Sequence, residues 1–294
     1  MLDSRKCEAL LAVIDTGSFE QAAALLHLTA SAVSQRVAAL EAELGLPLVV
    51  RSKPCRATPD GQRVMQYLRR SRLLEQELMD DLEHDASSPL NVSLAVNNDS
   101  LATWLLPGIA DFISQYGIMV HFVLDNQDHT YALLSQGLAL AGVSTAPEPA
   151  RGCTAERLGI MRYRMVGSPA FIQRWFPDGF TREAARVAPL LVFDQKDKLQ
   201  SDFLERELGL TPGSYPTHTM PASEPFMQAI ELGMGYGMLP EQQYGDRMDR
   251  DIIRDLAPGR YIDVALYWHA WKVQSPRMEK LSAAIIDAAR SALS

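Results

Sequence analysis

Residues 18–45 read SFEQAAALLHLTASAVSQRVAALEAELG, and their spacing predicts two helices joined by a tight turn. Ser18 is placed to cap the first helix, while Phe19, Ala22, Ala23 and Leu26 recur at intervals of three and four and form one packing face. After the break at His27-Leu28-Thr29, Val33, Val37, Leu40 and Leu44 supply the apolar stripe of a second helix. Ser31, Ser34, Gln35 and Arg36 are left near its exposed start. A helix laid in a major groove presents small and forked hydrogen-bonding groups there, where base edges are reached. Residues 46–51 and the run KPCRATPDG over 53–61 then describe a short basic ribbon with a turn, a wing beside the helix pair. Arg51, Lys53 and Arg56 of that ribbon are expected to meet phosphates or a minor groove.

The charge distribution fits this reading. The 294-residue chain carries a net charge of −8, yet residues 31–72 hold eight Lys and Arg against three Asp and Glu, so the basic footprint is local. The acidic remainder argues against a nonspecific nucleic-acid coat and suits a domain whose guest is small and not anionic. A hydrophobic content of 47% permits cores in both a small and a larger domain. No apolar run approaches the roughly 20 residues of a membrane span, and the polar start MLDSR lacks a signal-peptide core, so a cytoplasmic protein is expected. Cys7, Cys55 and Cys153 are too widely spaced for a ligand motif and read as free thiols. The six histidines, His27, His84, His121, His129, His218 and His269, form no metal spacing. With no Gly-rich phosphate loop, HExxH, CxxC or GxSxG either, neither a catalytic residue, a metal nor a cofactor is expected.

From Pro59 to about residue 84 there is no Gly beyond Gly61 and no internal Pro, while Val64, Leu68, Ser71, Leu74, Leu78 and Leu82 alternate three and four apart. That is a long helix with a coiled-coil-like seam. Its first half is basic (Arg63, Arg69, Arg70, Arg72) and its second acidic (Glu75, Glu77, Asp80, Asp81, Glu83, Asp85), so antiparallel pairing with a second copy sets opposite charges together. The other reading is a solvated helix packed on its own domain. Residues 85–89, DASSP, have the composition of a hinge.

Beyond the hinge, strands over 90–96, 118–124, 140–145, 190–193, 217–220 and 237–239 alternate with helices over 100–116, 129–136, 198–208 and 223–232. Such alternation predicts parallel sheets covered by helices. The interruption at Ala146-Pro147-Glu148-Pro149 and a return through 262–269 suggest two similar Rossmann-like α/β lobes joined by two crossings and closing on a ligand. Ligand contacts are expected where loops leave the carboxyl ends of strands. In the first lobe these are Asn98, Asp99 and Ser100, then Asp125, Gln127 and Thr145; in the second, Phe193, Asp194, Ser223 and Glu224. Helix amides after Ser100 suit a carboxylate and Asp99 suits an ammonium or guanidinium, although Asp99 or Ser100 as a plain helix cap is an equal alternative. Trp268 and His269 read as core or hinge residues.

The run from Phe19 through Ala22-Ala23, Leu26, Thr29, Ser31-Ala32-Val33-Ser34, Leu40-Glu41, Leu44-Gly45 and Arg51 to Thr58 and Gly61 resembles the winged helix-turn-helix of LysR-type transcriptional regulators. One departure is Leu48-Val49-Val50-Arg51, where many members carry a Phe. SLAVN over 93–97, DSLATWLLP over 99–107, FPDG over 176–179, Phe193-Asp194, Ser223-Glu224 and LYWH over 266–269 look like the arginine- and lysine-responsive branch of that family. The resemblance implies a winged helix-turn-helix domain over 1–58 contacting DNA through Ser18, Thr29, Ser31, Ser34, Gln35, Arg36, Arg51, Lys53 and Arg56. It further implies a linker helix and hinge over 59–88 and a periplasmic-binding-protein-like effector domain over 89–294. Lobe I of that domain covers about 89–162 and 266–294, lobe II about 163–265. Promoter DNA, RNA polymerase and lysine or arginine are the implied partners, with a homodimer assembling into a tetramer, associated with the nucleoid. An architectural DNA binder at a replication origin is the alternative.

Overall fold

The computed structural model describes residues 2–83, 89–124, 133–134, 138–150, 152–194 and 197–293, without the side chains of 73, 76–78 and 80–83. Two compact units are formed: Met1–Ser93 with Gly117–His121 and Tyr131–Leu140, and the rest.

The first unit opens with α1 (Ser4–Thr16), α2 (Phe19–Leu25) and α3 (Ala30–Leu44). The Ser18 hydroxyl caps α2 by accepting from the amides of Glu20 and Gln21, and Thr29 caps α3 by accepting from Ala32. The predicted stripes face inward: Ala22, Ala23, Val33, Val37 and Leu40 are buried, and Phe19, Leu26 and Leu44 pack at the margin. Helix α1 was not among the predicted elements; its Cys7, Leu10, Leu11 and Val13 complete this core. Two antiparallel two-residue strands, β1 (Val49–Val50) and β2 (Arg56–Ala57), make the ribbon. Glu41 fixes it to α3, because its Oε1 accepts from the amides of Leu48 (2.7 Å) and Val49 (3.1 Å). Gly61 opens the next helix so close to the Leu48 carbonyl that a Cβ has no room. That helix, α4 (Pro59–Glu83), matches the predicted span. Met65 and Leu68 join the core of the unit, whereas Leu74 and Met79 further along are exposed.

The remaining strands are β3 (Leu90–Val96), β4 (Ile118–Leu124), β5 (Ala141–Ser144), β6 (Cys153–Gly167), β7 (Leu190–Val192), β8 (Thr217–Thr219), β9 (Gly237–Pro240), β10 (Arg254–Asp255) and β11 (Ile262–Trp271). Seven of them form one sheet in the order β10-β6-β11-β5-β3-β4, with β9 also on β6, and β7 pairs with β8. The expectation of parallel sheets holds for β3 with β5 and for β7 with β8. It fails for β11 with β5 and for β6 with β11, β9 and β10, all antiparallel, so the sheet is mixed. The 15-residue β6 causes this difference. Its sequence, CTAERLGIMRYRMVG, carries Arg, Glu and Gly where a buried strand would be uniformly apolar, and its alternation becomes regular only toward the end.

Helices α5 (Asn98–Ser100), α6 (Leu106–Tyr116), α7 (Pro169–Trp175), α8 (Arg182–Val187), α9 (Leu199–Leu208), α10 (Ser223–Glu231), α11 (Glu241–Tyr244) and α12 (Pro276–Ala292) complete the fold. The helix expected over 100–116 is interrupted by a π turn at Leu101–Leu105, just before Pro107, whose missing N–H cannot continue the α ladder. Helices α6 and α12 approach so closely at Gly108 that a Cβ there would collide with that of Ala288. Of the helix expected over 129–136 only 133–134 are described, and residues 85–88 of the hinge lie outside the described residues. Among the described residues, no helix is long and apolar enough to cross a membrane, and no cluster of His, Cys, Asp or Glu could hold a metal. Cys7, Cys55 and Cys153 form no disulfide.

Candidate DNA-contacting face and ligand cavity

At the start of α3, Ser31 and Gln35 are exposed, and Ser34 and Arg36 are half-buried; Lys53 and Arg56 are exposed on the ribbon. Arg51 leaves the ribbon and turns back. Its Nη1 donates to Ser34 Oγ at 3.3 Å, and its guanidinium lies 5.1 Å from the centre of the Phe19 ring. A cation is thereby held beside the hydroxyl and carboxamide groups of α3, stiffened by a ring face. The Ser18 and Thr29 hydroxyls are occupied as caps, and Ser18 also donates to Glu20 Oε2 at 2.7 Å.

In the second unit, a cavity of about 280 Å³ is lined by residues of six segments, one of them the end of β4 at Leu124. The turn after β3 supplies Asn97, Asn98 and Asp99, β6 supplies Tyr163, and the loop after β7 supplies Phe193, Asp194 and Asp197. The start of α10 adds Ser223, and β9 with α11 adds Pro240 and Gln243. Three carboxylates thus line the cavity, and no Lys, Arg or His is among its described lining residues. Its electrostatics favour a cation.

Asp99 occupies the centre of this arrangement. The Tyr163 hydroxyl donates to its Oδ2 at 2.8 Å, and the Ser223 hydroxyl donates to its Oδ1. Burial pushes the Asp99 carboxyl above the ordinary aspartate range; the two hydroxyls oppose that shift, and the charge of Asp197 adds to it. An uncompensated carboxylate is costly at this position, and a positive guest would relieve the cost. Burial and the neighbouring Asp99 charge also hold the Tyr163 phenol well above its ordinary value, so it stays a donor. Asp197 is consumed locally: it accepts from the amides of Phe193 (3.0 Å) and Leu199 (2.9 Å) and from Gln200 Nε2 (3.3 Å). Asp194 Oδ1 in turn accepts from the Asp197 amide at 2.9 Å.

Of the expected ligand residues, Asn98, Asp99, Phe193, Asp194 and Ser223 come together here. Ser100 does not: it is fully buried away from the cavity lining. Thr145 is half-buried on β5's exit and Glu224 is exposed, and neither lines the cavity. Glu224 fails because one step along α10 from Ser223 turns a side chain by about 100°. Asp125 and Gln127 lie outside the described residues. The capping alternative for Asp99 and Ser100 also fails, since the cap position is Asn97 and no side chain caps that turn. Sequence reasoning missed Tyr163, Asp197, Gln200 and Gln243. Asp197 had a signal, an acid two residues ahead of a helix; Tyr163 had none once β6 went unread. Trp268 and His269 are buried, as expected of core residues. His269 Nε2 donates to the Ala146 carbonyl at 2.7 Å, and burial holds its pKa below the ordinary histidine value.

A helix-turn-helix with a basic ribbon, followed by a mixed α/β domain around a ligand-sized cavity, defines a ligand-responsive DNA-binding regulator. Residues 4–62 match the profile of the bacterial regulatory helix-turn-helix proteins of the lysR family, and residues 90–290 match the LysR substrate binding domain. The chain belongs to the LysR family of transcriptional regulators and is not an enzyme. It is 40% identical over 293 residues to the HTH-type transcriptional regulator ArgP of Aeromonas salmonicida, covering 99% of this chain and 98% of that protein. The crystal structure of ArgP from Mycobacterium tuberculosis is similar with a TM-score of 0.87 and 36% identity, over 100% of this chain and 99% of that one. Full-length LysG from Corynebacterium glutamicum with bound effector arginine is similar with a TM-score of 0.81 and 32% identity, over 99% of each chain.

Proposed function

We propose that this regulator controls transcription from a promoter in response to a basic amino acid, lysine or arginine, held in the cavity around Asp99. The observation that carries the reading is a cavity with three carboxylates and, among its described lining residues, no basic side chain. Arginine as the effector of the similar LysG supports it. Asp99 is the partner of the ligand's cation, and the backbone amides at the start of α5 take its carboxylate. On DNA, Ser31, Ser34, Gln35 and Arg36 read bases, while Arg51, Lys53 and Arg56 hold the backbone. The division into a DNA module over 1–58, a linker over 59–88 and a two-lobed effector domain over 89–294 belongs to the same proposal. So do antiparallel pairing of α4 in a homodimer, its assembly into a tetramer, contact with RNA polymerase, and a place on the nucleoid in the cytoplasm. Calorimetric titration with lysine, arginine and neutral amino acids of equal length tests the effector. Binding of the basic pair alone is expected; equal binding of norleucine, or no binding of either basic amino acid, overturns the reading.

A further inference from the structure

Tyr163 lies on β6 where that strand is paired on both sides, opposite Ile262 of β11 and Pro240 of β9. Its backbone is held from two directions and its ring is buried, so the hydroxyl has a fixed position. Two acceptors are within reach of that hydroxyl, Asp99 Oδ2 at 2.8 Å and Met161 Sδ at 3.1 Å. A phenol has one proton to give, and a carboxylate is a far stronger acceptor than a thioether, so the proton goes to Asp99. The cations that flank Tyr163 are turned away, since successive side chains of a strand point to opposite faces. Arg162 pairs with Asp263 through two nitrogens, at 2.7 and 2.8 Å, and Arg164 pairs with Glu241 (2.7 Å) and Asp255 (3.4 Å). Of the remaining walls, α10 brings the Ser223 hydroxyl to Asp99, and the loop after β7 brings the carboxylates of Asp194 and Asp197, the latter opposing the Asp99 charge. The described lining residues of β4, α9, β9 and α11 carry no charge. Against burial, the pair of neutral hydroxyls is what favours a charged Asp99 in the absence of a ligand.

We infer that Tyr163 is a positioning residue of the effector site, whose hydroxyl proton holds the Asp99 carboxylate charged and in place for the effector's cation before the effector binds. This deepens the proposed function and rests on it. Tyr163 acts through Asp99. A carboxyl group that has taken up a proton attracts a cation far less than a carboxylate does, so the donor that opposes protonation sets the pH at which the effector is bound.

The test is calorimetric titration of the full-length protein with arginine and lysine across a series of pH values, using Tyr163→Phe and, as control, Tyr236→Phe. Tyr236 is also a buried tyrosine, its hydroxyl donating to the Ala185 carbonyl at 3.5 Å, but it does not line the cavity. Loss of a hydrogen bond to a charged group should move the rise of affinity with pH upward by about one to two units. Below that rise Tyr163→Phe should bind about tenfold to a hundredfold more weakly than the parent, and on the plateau above it the two should agree within threefold. Tyr236→Phe should follow the parent throughout. In an Asp99→Asn background, Tyr163→Phe should change affinity by less than threefold at every pH, because the group it acts through no longer titrates. Fluorotyrosine in the place of Tyr163 keeps the shape and is a stronger donor, so it should move the rise to lower pH; it carries the test if the phenylalanine variant does not fold, and an unmoved rise then overturns the inference. If the parent binds and the curve of Tyr163→Phe overlays it, or the loss is equal at every pH, or the loss persists in full in the Asp99→Asn background, this inference is wrong and the effector reading survives. If the parent binds neither amino acid, both fall.

Discussion

Asp99→Asn separates stability from binding, because the two should move in opposite directions. The replacement keeps the shape of the side chain. One oxygen still accepts a hydroxyl proton, and the new Nδ2 donates to whichever hydroxyl of Tyr163 or Ser223 rotates its hydrogen away, so the packing around Oδ1 and Oδ2 survives. Burial raises the Asp99 pKa, so its folded-state value lies above the unfolded one. The stability this contributes is fully present below the unfolded value and is lost as pH rises through the raised folded value. At neutral pH the carboxylate therefore costs the unliganded fold free energy, and asparagine removes that cost. The variant should be as stable as the parent or more so. Binding should respond the other way. Removing one member of a buried, hydrogen-bonded ion pair costs about 3–5 kcal/mol, and the opening of Asp99 to the cavity reduces this to about 2–4 kcal/mol. That is a loss of roughly thirtyfold to a thousandfold in arginine or lysine affinity. Titration calorimetry measures the second quantity and urea unfolding the first. Arginine and lysine affinities within threefold of the parent, or a variant that unfolds more readily while binding normally, would refute Asp99 as the cation partner.

Effector affinity should rise with pH up to the raised Asp99 value and then level off. Binding below that plateau should release a proton, seen as a buffer-dependent binding enthalpy that Asp99→Asn abolishes. Gly108→Ala should destabilise by about 1–3 kcal/mol despite the helix preference of alanine, because the added Cβ meets Ala288; Ala288→Gly should restore part of the melting temperature, and an unchanged melt for Gly108→Ala would contradict the close α6–α12 contact. Arg51→Ala should weaken binding to every DNA sequence and lower the salt slope by about one charge, whereas replacing Ser34, Gln35 and Arg36 together should abolish promoter preference in a competition assay. Promoter affinity and preference intact in that triple variant would remove α3 from base reading.

The amino-acid sequence by itself determined the local elements. Ser18, Thr29 and the stripes through Val33, Val37 and Leu40 specify the helix pair because caps and 3.6-residue periodicity act within one or two turns. The length of α4 and the positions of β3, β4, β7, β8 and β9 were legible for the same reason, and Asp99 after the first of these strands was legible as a ligand candidate, with a helix cap as its equal alternative. Pairing direction was not legible. Strand β6 is polar in part and gains its identity from antiparallel neighbours β9, β10 and β11 that follow it by roughly 70 to 120 residues, a separation over which no local periodicity carries information. The cavity depended on that pairing: Tyr163 reaches Asp99 only because β6 crosses the sheet, and Gln243 reaches Ser223 only because β9 delivers α11 beside it. Caps and periodicity act between near neighbours in the chain. The satisfaction of buried polar groups, which set the roles of Asp99, Tyr163 and Ser223, is decided between residues brought together only when the sheet closes.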